Sequence, residues 1–425
     1  MRVSQLWGVD VAGGTKRLVS EGDVTRPAWS PNGHRIAYAR AYIPERPARQ
    51  HDIWTMRPDG SDARPLTNDI EQDYSPVWSA DGRHVYFCSA RDGSANVWRI
   101  GIDERSGRAR GAVEHIRVPS AAVLRISLAA NDSQLVYESY DAEANVRRLA
   151  FDPVRAEVSG EAVPVTSGPR EWEELDVAVD GRIALASIRD HPGLPQGIHI
   201  ITRDGEAPAP LEATPGSARF PRWSPDGSRI AFYGARTGSS ETFVIGSDGT
   251  GLRRFTHFGD SGAGFFPQWS PDGSRIVIAT AVRFGGTLFV LDADQPWAEQ
   301  RRDSLPSPPG PTELRYRPWS WSPDGRMLAT YSERGAGLAV YSFVTRRWEV
   351  LTATGEKPRW LSDSRRLVYV AGDKIFLYDI AARRSQQIFI FSGYSLTAVD
   401  AGPGDRSLYF IARRETGDIA MATLR

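Results

Sequence analysis

Apolar residues along this chain come in short alternating runs bounded by Gly, Pro, Asp and Asn. Ile36-Ala37-Tyr38, Val85-Tyr86-Phe87, Ile230-Ala231-Phe232, Ile276-Val277-Ile278 and Leu367-Val368-Tyr369 are such runs. So are Ile53-Trp54-Thr55-Met56, Val97-Trp98-Arg99-Ile100, Phe243-Val244-Ile245, Leu288-Phe289-Val290 and Ile375-Phe376-Leu377-Tyr378. Period-two runs of this length with turn residues between them predict strands and hairpins. No segment of convincing length keeps the helical period.

A phrase recurs just before the first of each pair of runs. Trp29-Ser30-Pro31-Asn32-Gly33 is followed by Trp78-Ser79-Ala80-Asp81-Gly82, then by Trp-Ser-Pro-Asp-Gly at Trp223, Trp269 and Trp321. Trp360-Leu361-Ser362-Asp363-Ser364 is a worn copy, and weaker ones begin at Leu128, Val177 and Ala401. Proline presets φ, aspartate bonds to nearby backbone and glycine takes positive φ, so the phrase is a tight turn. A more polar fourth run closes each unit, as at Leu252–Thr256 and Trp348–Thr352. The anchors lie 39 to 52 residues apart. Four strands per period of this length, with Trp and Gly punctuation, are the signature of a propeller blade.

A sheet apolar on both faces cannot stand alone, and radial stacking covers both faces. The expectation is an all-β chain forming a single β-propeller of four-stranded antiparallel blades over 1–425, eight or nine in number. Gln5–Asp10 reads as a third strand and Lys16–Val19 as a fourth, while Leu408–Ile411 and Asp418–Met421 follow the Ala401 anchor. Segments 4–19 and 398–424 are therefore expected to share one blade and clasp the ring.

The phrase Trp223-Ser224-Pro225-Asp226-Gly227-Ser228-Arg229-Ile230-Ala231-Phe232, with Ser247-Asp248-Gly249 after the next strand, resembles the TolB-type repeat, the WD-like propeller unit of the bacterial TolB family. The resemblance runs from about residue 4 to 424. The C-terminal half, through Pro318–Gly325, Pro358–Leu367 and Thr416–Leu424, also resembles propeller regions fused to bacterial serine/threonine kinases and winged-helix regulators. It implies an interaction or sensor module. No kinase loop accompanies it: there is no Gly-rich nucleotide loop, His-Arg-Asp or Asp-Phe-Gly.

Charge narrows the partner. The 52 basic and 52 acidic residues cancel, and a general nucleic-acid binder needs a basic excess. No apolar run approaches the ~18 residues of a membrane span. The first residues lack the apolar stretch of an export signal, so the chain as written is expected in the cytoplasm; an upstream export or membrane segment would place it outside. A monomer that binds a protein or peptide is expected.

Candidate chemistry is sparse. The one cysteine, Cys88, excludes an internal disulfide and reads as a core thiol. The Gly-x-Ser-x-Gly motif of propeller-linked hydrolases is missing, and Gly259-Asp260-Ser261-Gly262 reads as a connecting loop. The seven histidines show no zinc-helix spacing, and no calcium-loop pattern is intact. No catalytic residue, metal or cofactor is therefore assigned. The alternative is a propeller enzyme, a peptidase-like hydrolase or acidic-sugar lyase, with its site at the channel mouth.

Two sets of residues stand out as binding candidates. An arginine recurs 11 to 14 residues past most anchors: Arg40, Arg91, Arg189, Arg236, Arg283, Arg334 and Arg413. Pairing with an acidic residue of the same or a neighbouring blade is one reading, with Asp92, Asp190 and Glu333 adjacent in sequence; a basic rim that captures a carboxylate, phosphate or acidic peptide is the other. The repeated tryptophans read as packing between blades. Trp172 and Trp297 lie off the repeat, in apparent loops, and are the exposed aromatic candidates for partner contact. The proline-rich stretch 301–312 is a candidate recognition loop or spacer.

Overall fold

The computed structural model describes residues 5–21, 24–40, 51–69, 72–91, 95–118, 122–168, 171–187, 197–203, 205–212, 214, 218–236, 239–259, 263–280, 287–308, 316–332 and 337–424. These residues form antiparallel strands, with single 3-10 turns at Trp297–Glu299 and Pro403–Asp405 and no α-helix. The chain folds as two compact units. One is Met1–Asp141 with His191–Gly193 and Glu415–Arg425; the other is Ala142–Asp190 with Leu194–Arg414.

In the first unit, Gln5–Val9 pairs with Lys16–Glu21 as a two-stranded sheet. Two four-stranded meanders follow, from Val24–Trp29 to Arg64–Pro65 and from Asp73–Trp78 to Arg108–Ile116. Ala122–Leu128 then pairs with the start of the long strand Gln134–Asp152. Phe87, Ile100, Trp78, Ala37 and Ile53 form a dry layer between the two meanders. Trp78 is 8% exposed, whereas Trp29, with only a two-stranded sheet before it, is 60% exposed.

The second unit closes on itself. Its sheets begin at Trp172–Val177, Arg219–Trp223, Gly264–Trp269, Tyr316–Trp321, Glu356–Trp360 and Ser395–Ala401. Each of these first strands packs on the next, and the last returns to the first, making a ring of six. Closure uses different strands from those expected. Ser395–Ala401 and Ser407–Thr423 are joined by Gln134–Asp152 and Glu157–Pro164, while among the described residues Gln5–Val9 and Lys16–Glu21 pair with each other alone. The reason lies in local chemistry. Residues 134–152 contain no Gly or Pro, so nothing turns the chain back into a hairpin, and the strand runs on for 19 residues.

The repeated phrase does two jobs. In the turn, Gly227 takes φ +68°, its N–H donates to Ser224 O at 2.8 Å, and Asp226 accepts from Ser224 Oγ and the Ser228 N–H at 2.5 and 3.0 Å. Those hydrogen bonds to the ionised carboxylate push Asp226, and likewise Asp272, down to about 2. Between sheets, the tryptophan ties inner strands together. Trp78 Nε1 donates to Ala28 O, Trp223 Nε1 to Asp176 O and Trp269 Nε1 to Arg222 O, at 3.1 to 3.2 Å. An arginine from the preceding sheet covers the ring: Arg182 over Trp223 at 4.5 Å, Arg229 over Trp269 at 4.7 Å and Arg275 over Trp321 at 5.4 Å.

Candidate functional site: the axial residues of the six-sheet ring

A bulge interrupts each first strand of the second unit, with register shifts between Arg219 and Arg222, Phe265 and Gln268, and Glu356 and Arg359, among others. The sequence gives a cause. A proline stands two residues before the anchor tryptophan at Pro221, Pro267 and Pro358. Proline has no N–H for the ladder, so it is confined to bulges or edges. The residue before it takes positive φ, at Phe220, Phe266 and Lys357. The residue after it, immediately before the anchor, is thereby aimed at the ring's centre. Around the ring these residues are Asp176, Arg222, Gln268, Ser320, Arg359 and Asp400, and all six line one cavity of about 300 Å³.

Half of this circle is paired with itself. Arg359 Nε and Nη2 donate to Asp400 at 2.7 and 2.6 Å, and Nη2 also donates to Asp176. All three side chains are at least 85% buried. Burial opposes the Arg359 charge, and the two carboxylates outweigh it and raise its pKa. Asp176 also accepts the Trp223 N–H at 2.7 Å, and Asp400 the Val177 N–H at 2.8 Å. The network therefore fixes the inner strands of several sheets.

The other half holds unmatched donors. Arg222 Nε donates to Gln268 Oε1 at 3.1 Å and Nη1 to Pro221 O at 2.8 Å, while Asp176 lies 3.9 Å away. Arg222 Nη2 and Gln268 Nε2 are buried without a partner. Burial lowers the Arg222 pKa despite Asp176. Ser320 Oγ accepts the Trp360 N–H at 3.1 Å.

A second cavity of about 590 Å³ in the same unit is lined by Glu173, Glu174, Phe220, Arg317, Tyr331 and Lys357, among others. Lys357 Nζ donates to Glu174 Oε1 at 3.0 Å. Complete burial pushes the Glu174 carboxyl up to about 7 against the pull of Lys357. Arg317 Nη1 donates to Tyr331 Oη at 3.2 Å.

The recurring arginines that are described divide between the two units. Arg40 and Arg91 belong to the first unit and Arg413 to the second. Arg40 stacks over Trp54 at 4.6 Å. Arg91 donates to Asp73 at 2.8 and 2.9 Å and reaches Asp69 at 3.2 Å, and Arg413 reaches Glu171 at 3.2 Å. Arg236 ends the strand Arg229–Arg236, and Arg189, Arg283 and Arg334 lie outside the described residues. Asp52, Asp69 and Asp73 place carboxylate oxygens within 4.8 Å of one another, but Arg91 already supplies the cation there.

The aromatic candidates divide. Trp172 is 3% exposed and opens a strand, edge-on to His199 at 5.4 Å. Its neighbours Glu171, Glu173 and Glu174 mimic a loop in the sequence, yet two of those carboxylates are themselves buried. Trp297 is half-buried against Phe258 at 4.8 Å, with Arg302 over its ring at 4.3 Å. None of the six axial residues stood out from sequence alone. The available signal was the x-Pro-x-Trp spacing, which marks a bulge and the residue it aims inward.

Radial four-stranded sheets, tryptophan ties and axial polar residues define a β-propeller protein. The TolB beta propeller domain model matches residues 2–221, more than half of the sequence, and the chain belongs to that family. A protein of Agrobacterium fabrum, "Uncharacterized protein Atu1656", is 25% identical over 233 residues, 54% of this chain and 61% of its own length. "Uncharacterized peptidase YuxL" of Bacillus subtilis is 24% identical over 188 residues, 41% of this chain and 27% of that protein. The chain thus spans less than two thirds of either relative. Among solved structures, a putative TolB from Agrobacterium tumefaciens is similar at TM-score 0.49 and 18% identity, covering 64% of this chain and 99% of that one. TolB from Acinetobacter baumannii is similar at TM-score 0.42 and 12% identity, covering 82% and 81%. Among the described residues, no helix is long and apolar enough to cross a membrane.

Proposed function

We propose that this propeller is a non-catalytic module that binds a protein or peptide at the axial mouth of its six-sheet ring. The observation that carries this reading is the commitment of the central carboxylates to Arg359. Each of these carboxylates is spent on hydrogen bonds to Arg359 and to a backbone N–H, that of Trp223 for Asp176 and of Val177 for Asp400, so neither is placed to serve a substrate. Among the described residues lining this cavity there is no histidine to activate a hydroxyl. The Ser224 and Ser362 hydroxyls donate to Asp226 and Asp405, which hold turns. Trp297 and the arginines of the loops between second and third strands remain candidates for outer contacts.

Cross-linking in cells through a photoreactive residue at Gln268, followed by identification of the captured chain, tests the reading. One recurrent protein partner supports it; turnover of a peptide or sugar by the purified chain overturns it. A second reading, a propeller enzyme, is favoured by one observation. Glu174, held near 7 in the larger cavity beside Tyr331 and Lys357, has the pKa of a general acid–base group. Cleavage of peptides or of an acidic oligosaccharide that disappears in Glu174→Gln would establish that reading instead.

A further inference from the structure

We infer that the donor half of the axial circle, Arg222 and Gln268 with Ser320 beside them, is a receptor for a single carboxylate, such as a peptide's C-terminus. The inference deepens the peptide-binding reading above and rests on it.

The first ground is hydrogen-bond accounting. Arg222 Nη2 and Gln268 Nε2 are buried donors without acceptors, and both side chains, each about 97% buried, line the axial cavity. A buried donor left unmatched costs about 1–3 kcal/mol, more when charged. The Arg222 Nε bond to Gln268 Oε1 fixes the amide's orientation, so Nε2 necessarily turns away from Arg222. Ser320 Oγ accepts from Trp360 N, which leaves the hydroxyl proton to donate. Three donors from three neighbouring strands thus share one cavity. Its volume, about 300 Å³, is roughly ten times one water's share of the liquid, so it admits an organic group.

The second ground is charge. Asp176 is shared by Arg359 and, at 3.9 Å, Arg222, and Asp400 pairs with Arg359. Arg359 makes its close bonds to both carboxylates, and Arg222 has the longer contact, so the Arg222 cation is the less compensated of the two. A monoanion with two planar acceptor oxygens matches one guanidinium N–H and one amide N–H. A dianion such as phosphate meets stronger repulsion from the two fixed aspartates. The turns around the opening carry Pro225 and Pro323 and the anchor tryptophans Trp223, Trp269, Trp321 and Trp360, an apolar collar for the chain behind the carboxylate.

The test is calorimetric titration of the full chain with acetyl-triglycine and with the same peptide as its C-terminal amide, in parallel with inorganic phosphate. Saturable binding of the acid is expected, with the amide weaker by about tenfold or more, the loss of one charge-assisted bond. Phosphate is expected not to compete. Gln268→Glu keeps the shape, pairs with Arg222 and places a carboxylate in the receptor, so the variant is expected to melt no lower than the parent and to lose binding of the acid. Equal binding of acid and amide overturns carboxylate capture and leaves the peptide-binding reading standing. Binding of neither, competition by phosphate, or undiminished binding to a folded Gln268→Glu also overturns it. Partner cross-linking is read independently of all of these.

Discussion

Arg359 grips Asp400 through two nitrogens, at 2.7 and 2.6 Å, from the neighbouring inner strand of the same ring. Asp176, from the strand on the other side of Asp400, shares the same guanidinium. Removing a buried partner leaves uncompensated charge, so Arg359→Leu is expected to destabilise the second unit by ~3–5 kcal/mol. Adding Asp176→Asn and Asp400→Asn should recover much of that loss, because the charges then vanish together. Urea unfolding of the single and triple variants checks this; equal stability of Arg359→Leu and the parent would refute the network.

Lys357 and Glu174 form another buried pair, at 3.0 Å. Lys357→Met alone is expected to cost ~3–5 kcal/mol, and Lys357→Met with Glu174→Gln distinctly less. The sign of the pH effect follows from Glu174. Its carboxyl is raised in the folded state from 4.5 to about 7. Its contribution is fully present below about 4.5 and is lost as pH rises through about 7. Stability measured across that window should fall with pH, and the slope should flatten in Glu174→Gln. Asp226 and Asp272, lowered to about 2, act oppositely: their contribution is present above 3.8 and lost as pH falls toward 2. Both are well solvated, so their share is small.

Trp223 separates packing from hydrogen bonding. Its Nε1 donates to Asp176 O at 3.1 Å. Trp223→Phe is expected to cost ~1–3 kcal/mol through the orphaned carbonyl, and Trp223→Ala ~3–5 kcal/mol through the cavity. Trp29→Ala, at an exposed ring, should cost far less. Chemical denaturation of the three variants gives the ordering.

Cys88 is fully buried among Tyr86, Val97, Val123 and Tyr137. Burial pushes its thiol up to about 12. A thiol-specific chromophoric reagent should therefore label the native chain only at the rate at which the first unit opens, and label it at once in urea. Rapid labelling of native protein would contradict the core placement.

Strand chemistry was the legible part of this chain. Trp223-Ser224-Pro225-Asp226-Gly227 and its copies announce turn, strand and period, because turn geometry depends on local φ and local hydrogen bonds. The two units and their closure were not legible. Closure depends on which distant strand meets Ser407–Thr423, and Gln134–Asp152, the strand that does, carries a hint only in its lack of Gly and Pro. The axial site was half legible. Pro221, Pro267 and Pro358 mark bulges, but that Arg359 meets Asp176, 183 residues away, is a property of the ring. Arg91 pairs within its own sheet, with Asp73 across it, a partner that adjacency in the sequence does not point to, since Asp73 lies 18 residues away.

Ring closure underlies the axial cavity, because Asp400 and Asp176 meet Arg359 only if Ser395–Ala401 packs between Glu356–Trp360 and Trp172–Val177. Hydrogen–deuterium exchange tests this most directly. Amides of 147–152 and 395–401 should exchange together, at the slow rate of global opening of the second unit, and Arg359→Leu should accelerate both. Fast and independent exchange of 395–401 while the other five inner strands stay protected would contradict a closed ring and the site within it.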